Sequence, residues 1–119
     1  PRVNFARNHV QGAQRKGRHL FLSGGDATES VAHLFVATME SRRERGPWGS
    51  NVLHTTRPED DGLVRVVALD RELWHPGGIA LLGDLLAVPL YGDGVRSQVR
   101  FLHVADPTEP TEIEGAALA

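Results

Sequence analysis

The 119-residue sequence contains no cysteine, few aromatic residues and no long apolar run. Without cysteine the chain has no disulfide bond, no thiolate metal ligand and no cysteine nucleophile, although this does not fix its compartment. Because no apolar stretch approaches about 18 residues, the sequence predicts no membrane-spanning helix. The formal net charge is only -2, so the basic face that nucleic-acid-binding proteins present to phosphates is not expected either.

The sequence also lacks the short motifs of several enzyme classes. It contains no G-x-S-x-G, H-E-x-x-H, P-loop or G-x-G-x-x-G pattern, so hydrolase, zincin and nucleotide-binding chemistry has no sequence signal. The acidic stretch 58–62 does not have the alternating oxygen ligands of a calcium loop, and we interpret it as a solvated turn. No cofactor is predicted from these residues.

What the sequence does contain is a series of short apolar runs bounded by glycine, aspartate or proline. Their apolar period is close to two, or the run is continuous, and both patterns predict β-strands. The runs include GRHLFLSG, AHLFVATM, LVRVVALD, LLAVPLYG and QVRFLHVA. Continuous apolar strands of this kind fit sheets that are covered on both faces. Only segment 26–45 can also be written as a helix, with Asp26 or Thr28 as its N-cap, and we prefer a strand there.

The two parts of the chain resemble each other at an offset of 66 residues. Self-similarity at a fixed spacing is typical of repeat architectures. Gly17-Arg18 and Gly83-Asp84 also fall between apolar runs at the spacing of two-residue hairpins. The identical positions in this gapless alignment are His9 with His75, Gly12 with Gly78, Gly17 with Gly83, Leu20 with Leu86, and Phe35 with Phe101.

Several residues mark the ends or breaks of the predicted strands. Pro89 removes a hydrogen-bond donor from a strand, so we expect either a bulge or an interruption there. DPTEP, residues 106–110, predicts an Asx or type I turn, and Asp61-Gly62 predicts another hairpin. Segment 41–61 is interpreted as a long excursion with a short strand over 52–55, and Trp48 within it is expected to fold back over its own sheet.

Four strands per unit and a repeat longer than about 40 residues predict an all-β fold, a β-propeller fragment of antiparallel four-stranded blades. We expect one such fragment over residues 1–119, with one blade at about 8–73 and a partial second blade at about 74–119. The chain begins at Pro1 without a leader, so we expect it to belong to a longer chain whose remaining blades are its partners. Alone, these residues are expected to expose apolar blade faces and to aggregate.

The stretches VRFLHVADPTEP and HPGGIALLGDLLAVP resemble the repeats of LVIVD-type β-propellers. This resemblance implies a bacterial surface, secreted or periplasmic protein, hence an extracellular or periplasmic location. It also implies a scaffold or binding domain that contacts another protein or a glycan. In the first unit only His9, Gly12, Gly17, Leu20 and Leu22 match. The matching positions of the second unit are His75, Gly77, Gly78, Ile79, Gly83, Asp84, Leu86, Val88, Asp106, Pro107 and Pro110.

His9 and His75 are the only candidate site residues, because they open the predicted innermost strands at equivalent positions. Imidazoles at one height around a propeller channel would suit a metal ion and a propeller enzyme, either a lyase, a hydrolase or an oxygenase. The alternative is that each ring bonds to a turn backbone, and we prefer it because no carboxylate partner accompanies either histidine. The other histidines, which we interpret as ordinary strand or loop residues, are His19, His33, His54 and His103.

Overall fold

The computed structural model describes residues 9–26, 30–38, 63–92 and 94–119, and all regular secondary structure in these ranges is β. Every strand pair is antiparallel, which confirms the predicted all-β class. Segment 31–38 is a strand and not a helix. The strands are β1 His9–Lys16, β2 His19–Asp26, β3 Val31–Thr38, β4 Leu63–Asp70, β5 His75–Pro76, β6 Ala80–Leu82, β7 Leu85–Tyr91, β8 Ser97–His103 and β9 Thr111–Glu112.

The strands form two sheets, each built from neighbours in the chain. The first sheet has the order β1-β2-β3-β4, and the second has the order β5-β7-β8-β9 with β6 also paired to β7. The described part of the chain contains no helix long and apolar enough to cross a membrane. Predictions made for 41–61, which includes Trp48, and for the turn at 61–62 lie outside the described residues.

Both predicted hairpins at glycine are present. Gly17 and Gly83 have φ angles of 60° and 58°, in the left-handed region that favours glycine, and they join β1 to β2 and β6 to β7. Neither Arg18 nor Asp84 has a positive φ. Positive φ at the first central residue alone is the pattern of a type II′ turn, whose twist matches that of the flanking strands.

The two sheets pack face to face, and the hydrophobic core lies between them. Phe21, Leu34 and Val36 of the first sheet are fully buried, as are Leu86 and Val88 of the second. Burying one such side chain stabilises the fold by about 1.5–3 kcal/mol. The core therefore depends on both sheets together, since each contributes the apolar surface that covers the other.

Strand β4 corrects the prediction that both faces of LVRVVALD are covered. Leu69 is buried and Val67 is partly buried against the core. Val64 and Val66 alternate with them and are 46% and 49% exposed. Because side chains alternate across a strand, only one face of β4 reaches the second sheet.

The first three strands of each sheet begin 66 residues apart, but the third does not keep the same register. His9 lies opposite Gly25 and His75 lies opposite Tyr91, so the first two strands correspond at this offset. Phe35 lies opposite Leu22, however, whereas Phe101 lies opposite Ala87 and not opposite Val88, the counterpart of Leu22. Aligning Phe35 with Phe101 is therefore wrong by one residue. A slip of one residue moves a side chain to the other face of its sheet.

Pro89 causes neither of the two expected irregularities in its own strand. Strand β7 runs without a break, and Pro89 pairs with Val99 of β8. The interruption lies instead in the strand on the other side, between β5 and β6, where the Gly77 N–H donates to the Pro89 carbonyl over 2.8 Å. The N and C=O of one residue in an antiparallel strand point to the same side, so the missing N–H of Pro89 faces this break.

The turn at 106–109 has the predicted form. The Glu109 N–H donates to the Asp106 carbonyl over 3.1 Å, which closes a four-residue turn with Pro107 at its second position. The Asp106 carboxylate accepts bonds from the Thr108 hydroxyl and N–H at 2.7 and 3.0 Å. These two bonds lower the pKa of Asp106, because they favour its charged form.

Candidate functional site

The predicted histidines begin corresponding strands, and the structure describes the side chain of one of them. The His75 ring is half-buried and stacks between Trp74 and Tyr91, with ring-centre distances of 5.3 and 4.6 Å. Its Nδ1 lies 3.1 Å from the Pro76 carbonyl oxygen, within hydrogen-bond distance. The side chain of His9 lies outside the described part. His75 thus has an aromatic and backbone environment.

The remaining described histidines are strand residues, and His54 lies outside the described ranges. His19 belongs to β2 and His103 to β8, while the His33 ring on β3 lies 5.5 Å from that of Phe35. Within the described residues there is no group of three or more His, Cys, Asp or Glu side chains placed to hold a metal ion.

The most extensive candidate surface is an apolar face of the second sheet. Leu86, Val88 and Leu90 of β7 point into the core, so the alternating residues of β7 point away from the first sheet. Pairing places residues of β6 and β8 on the same side. We call this surface the outer face; it comprises Ala80, Leu82, Leu85, Ala87, Pro89, Tyr91, Val99 and Phe101.

Exposed apolar side chains extend along this outer face. Leu82 is 80% exposed and Tyr91 is 39% exposed. Leu118, paired with Val99, is 60% exposed and adds to the same side of the sheet. Contiguous apolar surface of this kind on a soluble protein marks an interaction site. Sequence reasoning predicted exposed blade faces but missed the Trp74–His75–Tyr91 stack, which depends on the β5–β7 register.

The interface inside the molecule shows how one sheet receives the next. Residues 77–79, which we call the inner turn, lie against β1 and β2 of the first sheet. The Ser23 hydroxyl donates to the Gly77 carbonyl over 2.7 Å, and the Gln14 side chain donates to the Ile79 carbonyl over 3.2 Å. A Cβ atom on Gly12 would lie only 2.7 Å from the Ile79 nitrogen. Glycine at position 12 therefore permits a backbone-to-backbone approach of the two sheets.

A second link between the sheets is an ion cluster around Arg100 of β8. Its guanidinium lies 2.5 Å from an Asp70 carboxylate oxygen and 3.0 Å from one of Glu112, and it donates to the Leu69 carbonyl over 3.4 Å. The side chains of Arg100 and Asp70 are only 17% and 20% exposed. An open cleft of about 490 Å³ adjoins this cluster. Because protein groups engage the guanidinium on several sides, we interpret the cluster as a structural link.

Electrostatics around Asp70 favour its charged form. Burial raises the pKa of its carboxyl, but bonds from the Leu73 and Glu72 N–H groups and the Arg100 guanidinium outweigh burial and leave the pKa below its usual 3.8. At the hairpin end, Lys16 pairs with Asp84 and lowers the pKa of that exposed carboxyl. Both pairs join the first sheet to the second.

Comparison with known proteins adds no family assignment. No protein-family model, curated protein or solved structure matches this chain. The resemblance to LVIVD-type repeats therefore depends only on the residues quoted for it, and what it implies enters below as a proposal.

Proposed function

We propose that the chain is part of a β-propeller and acts as a non-catalytic scaffold or binding domain. The four-stranded first sheet and its face-to-face packing on the second are the arrangement expected of neighbouring blades. The equal spacing of β1, β2 and β3 from β5, β7 and β8 supports a repeat. On this basis one blade covers about 8–73 and a second begins at about 74.

The observation that carries this proposal is the outer face. A blade buries one face against the preceding blade and the other against the following one, so an apolar outer face is expected where a further blade docks. The partners are accordingly the remaining blades of a longer chain, and the loops or channel mouth would contact a protein or a glycan. A cell-surface, secreted or periplasmic location follows from the LVIVD-type resemblance.

The proposal predicts that the 119-residue chain self-associates or binds the apolar dye ANS through the outer face. We would measure sedimentation velocity and ANS fluorescence for the chain and for a Leu82→Glu/Leu118→Glu variant. Both positions are largely exposed, so the substitutions should leave the fold intact while reducing dye binding and association. Val95→Glu is the matched control, because Val95 is 86% exposed and lies between β7 and β8, off this face.

A monodisperse monomer that melts cooperatively and does not bind ANS would contradict the propeller proposal. Equal effects of the outer-face and control substitutions would show that association is nonspecific. A loss confined to the outer-face variant supports docking at this surface.

The alternative is a propeller enzyme, a lyase, hydrolase or oxygenase, whose channel histidines hold a metal. It is favoured by the matching register positions of His9 and His75 at the starts of β1 and β5. Calorimetric titration with Zn²⁺ distinguishes the two functions. Zinc binding that is lost in both His9→Ala and His75→Ala would favour the enzyme, whereas binding unaffected by either change favours the scaffold.

A further inference from the structure

The inner turn of the second sheet rests on Gly12 of the first sheet, and the second sheet carries an unoccupied counterpart of this glycine. Gly78 lies 66 residues after Gly12. It is exposed, and no heavy atom lies within 4 Å of a Cβ built on it. Around Gly12 the same construction meets the Ile79 nitrogen at 2.7 Å and the Gly78 Cα at 2.9 Å. The same residue type thus faces a neighbouring sheet in one unit and open space in the other.

We propose that Gly78 is the docking point for a third antiparallel sheet, whose first strand is interrupted by a glycine-rich turn like residues 77–79. This inference rests on the proposed function and names the contact that the next blade makes. The third sheet would place its turn on Gly78 as residues 77–79 lie on Gly12, and its apolar strands would cover the outer face.

The register of the first two strands supports this placement. Gln14 lies opposite Phe21, and Ala80 lies opposite Ala87, so the strands that carry Gly12 and Gly78 are paired equivalently. The outer face is then the counterpart of the face through which the first sheet contacts the second. Continuity with the internal interface therefore identifies a sheet as the occupant.

The polar contacts of the internal interface are not repeated on the outer face. The counterparts of Ser23 and Gln14, the two donors to the inner turn, are Pro89 and Ala80. Neither side chain can donate a hydrogen bond. The third sheet is consequently held at this point by close backbone approach and apolar contact, and it satisfies its own turn carbonyls by other means.

The test uses an extended chain, in which a second copy of residues 71–119 follows Ala119. The connection between the described sheets, from the end of β4 at Asp70 to the start of β5 at His75, sets this joining point. The appended copy carries Leu82→Glu, so that its own outer face ends the array with a charge. Stability is measured as Tm, and coverage of the first outer face as ANS fluorescence.

Gly78→Ala in the first copy is expected to lower the Tm of the extended chain by about 5 °C, because the new Cβ would meet the docked turn. The same substitution in the appended copy is the internal control and should shift Tm by less than about 2 °C. Ala80→Gln in the first copy should raise Tm, because it restores the donor that Gln14 provides, and a folding defect cannot mimic this gain.

Equal Tm values for Gly78→Ala in the two copies would overturn the inference, as would an extended chain that does not fold cooperatively. If ANS fluorescence falls on extension while the Gly78 substitutions remain equal, a sheet covers the outer face by another geometry. In that case only the docking point is wrong and the propeller proposal stands. The propeller proposal itself fails if the original chain is already a cooperative monomer that does not bind ANS.

Discussion

Replacing Arg100 with methionine should loosen the contact between the two sheets. The substitution keeps an unbranched side chain on β8 but removes the cation that Asp70 and Glu112 share. Asp70 then remains four-fifths buried with a carboxylate that has lost its charged partner. Such a loss costs about 3–5 kcal/mol for a fully buried pair and about 0–1 kcal/mol at the surface. At this intermediate burial we expect about 2 kcal/mol.

Urea unfolding followed by fluorescence measures this loss. With an m-value of about 1–3 kcal/mol/M, a loss of about 2 kcal/mol moves the midpoint by about 1 M. Arg96→Met is the matched control, because Arg96 is 60% exposed and lies 3.5 Å from Glu72. That change should cost less than about 0.5 kcal/mol. Equal midpoints for the two variants would refute the assignment of Arg100 as a link between the sheets.

Two further predictions concern the same interface. Because the folded-state pKa of Asp70 lies below the 3.8 of the unfolded chain, its stabilising contribution is present above that pH and is lost as pH falls through the folded-state pKa. Asp70→Asn should therefore flatten the acid limb of a stability curve below about pH 4, and an unchanged slope would contradict this. Ser23→Ala should cost about 1–2 kcal/mol, because it leaves the Gly77 carbonyl without its 2.7 Å donor, whereas Ser97→Ala on an exposed strand end should cost almost nothing. Equal unfolding midpoints for these two serine variants would show that the bond does not hold the inner turn.

Local features of the sequence were sufficient to predict the strands and turns. The period of two, glycine at the hairpin positions and the Asp106-Pro107 pair each act within a few residues, so their effect does not depend on the rest of the fold. The same locality limits what they predict. The propeller, its partners and its location remain proposals, because no local pattern specifies which surface meets the next blade.

The tertiary structure decided the features that depend on pairing between distant strands. It placed Phe101 opposite Ala87, which moved the third strand one residue from the sequence alignment. It also broke the strand beside Pro89 instead of the strand that contains it. It stacked His75 between Trp74 and Tyr91. Register is selected by packing of whole faces, since a one-residue slip exchanges buried and exposed sides, and that free energy exists only once both sheets are assembled.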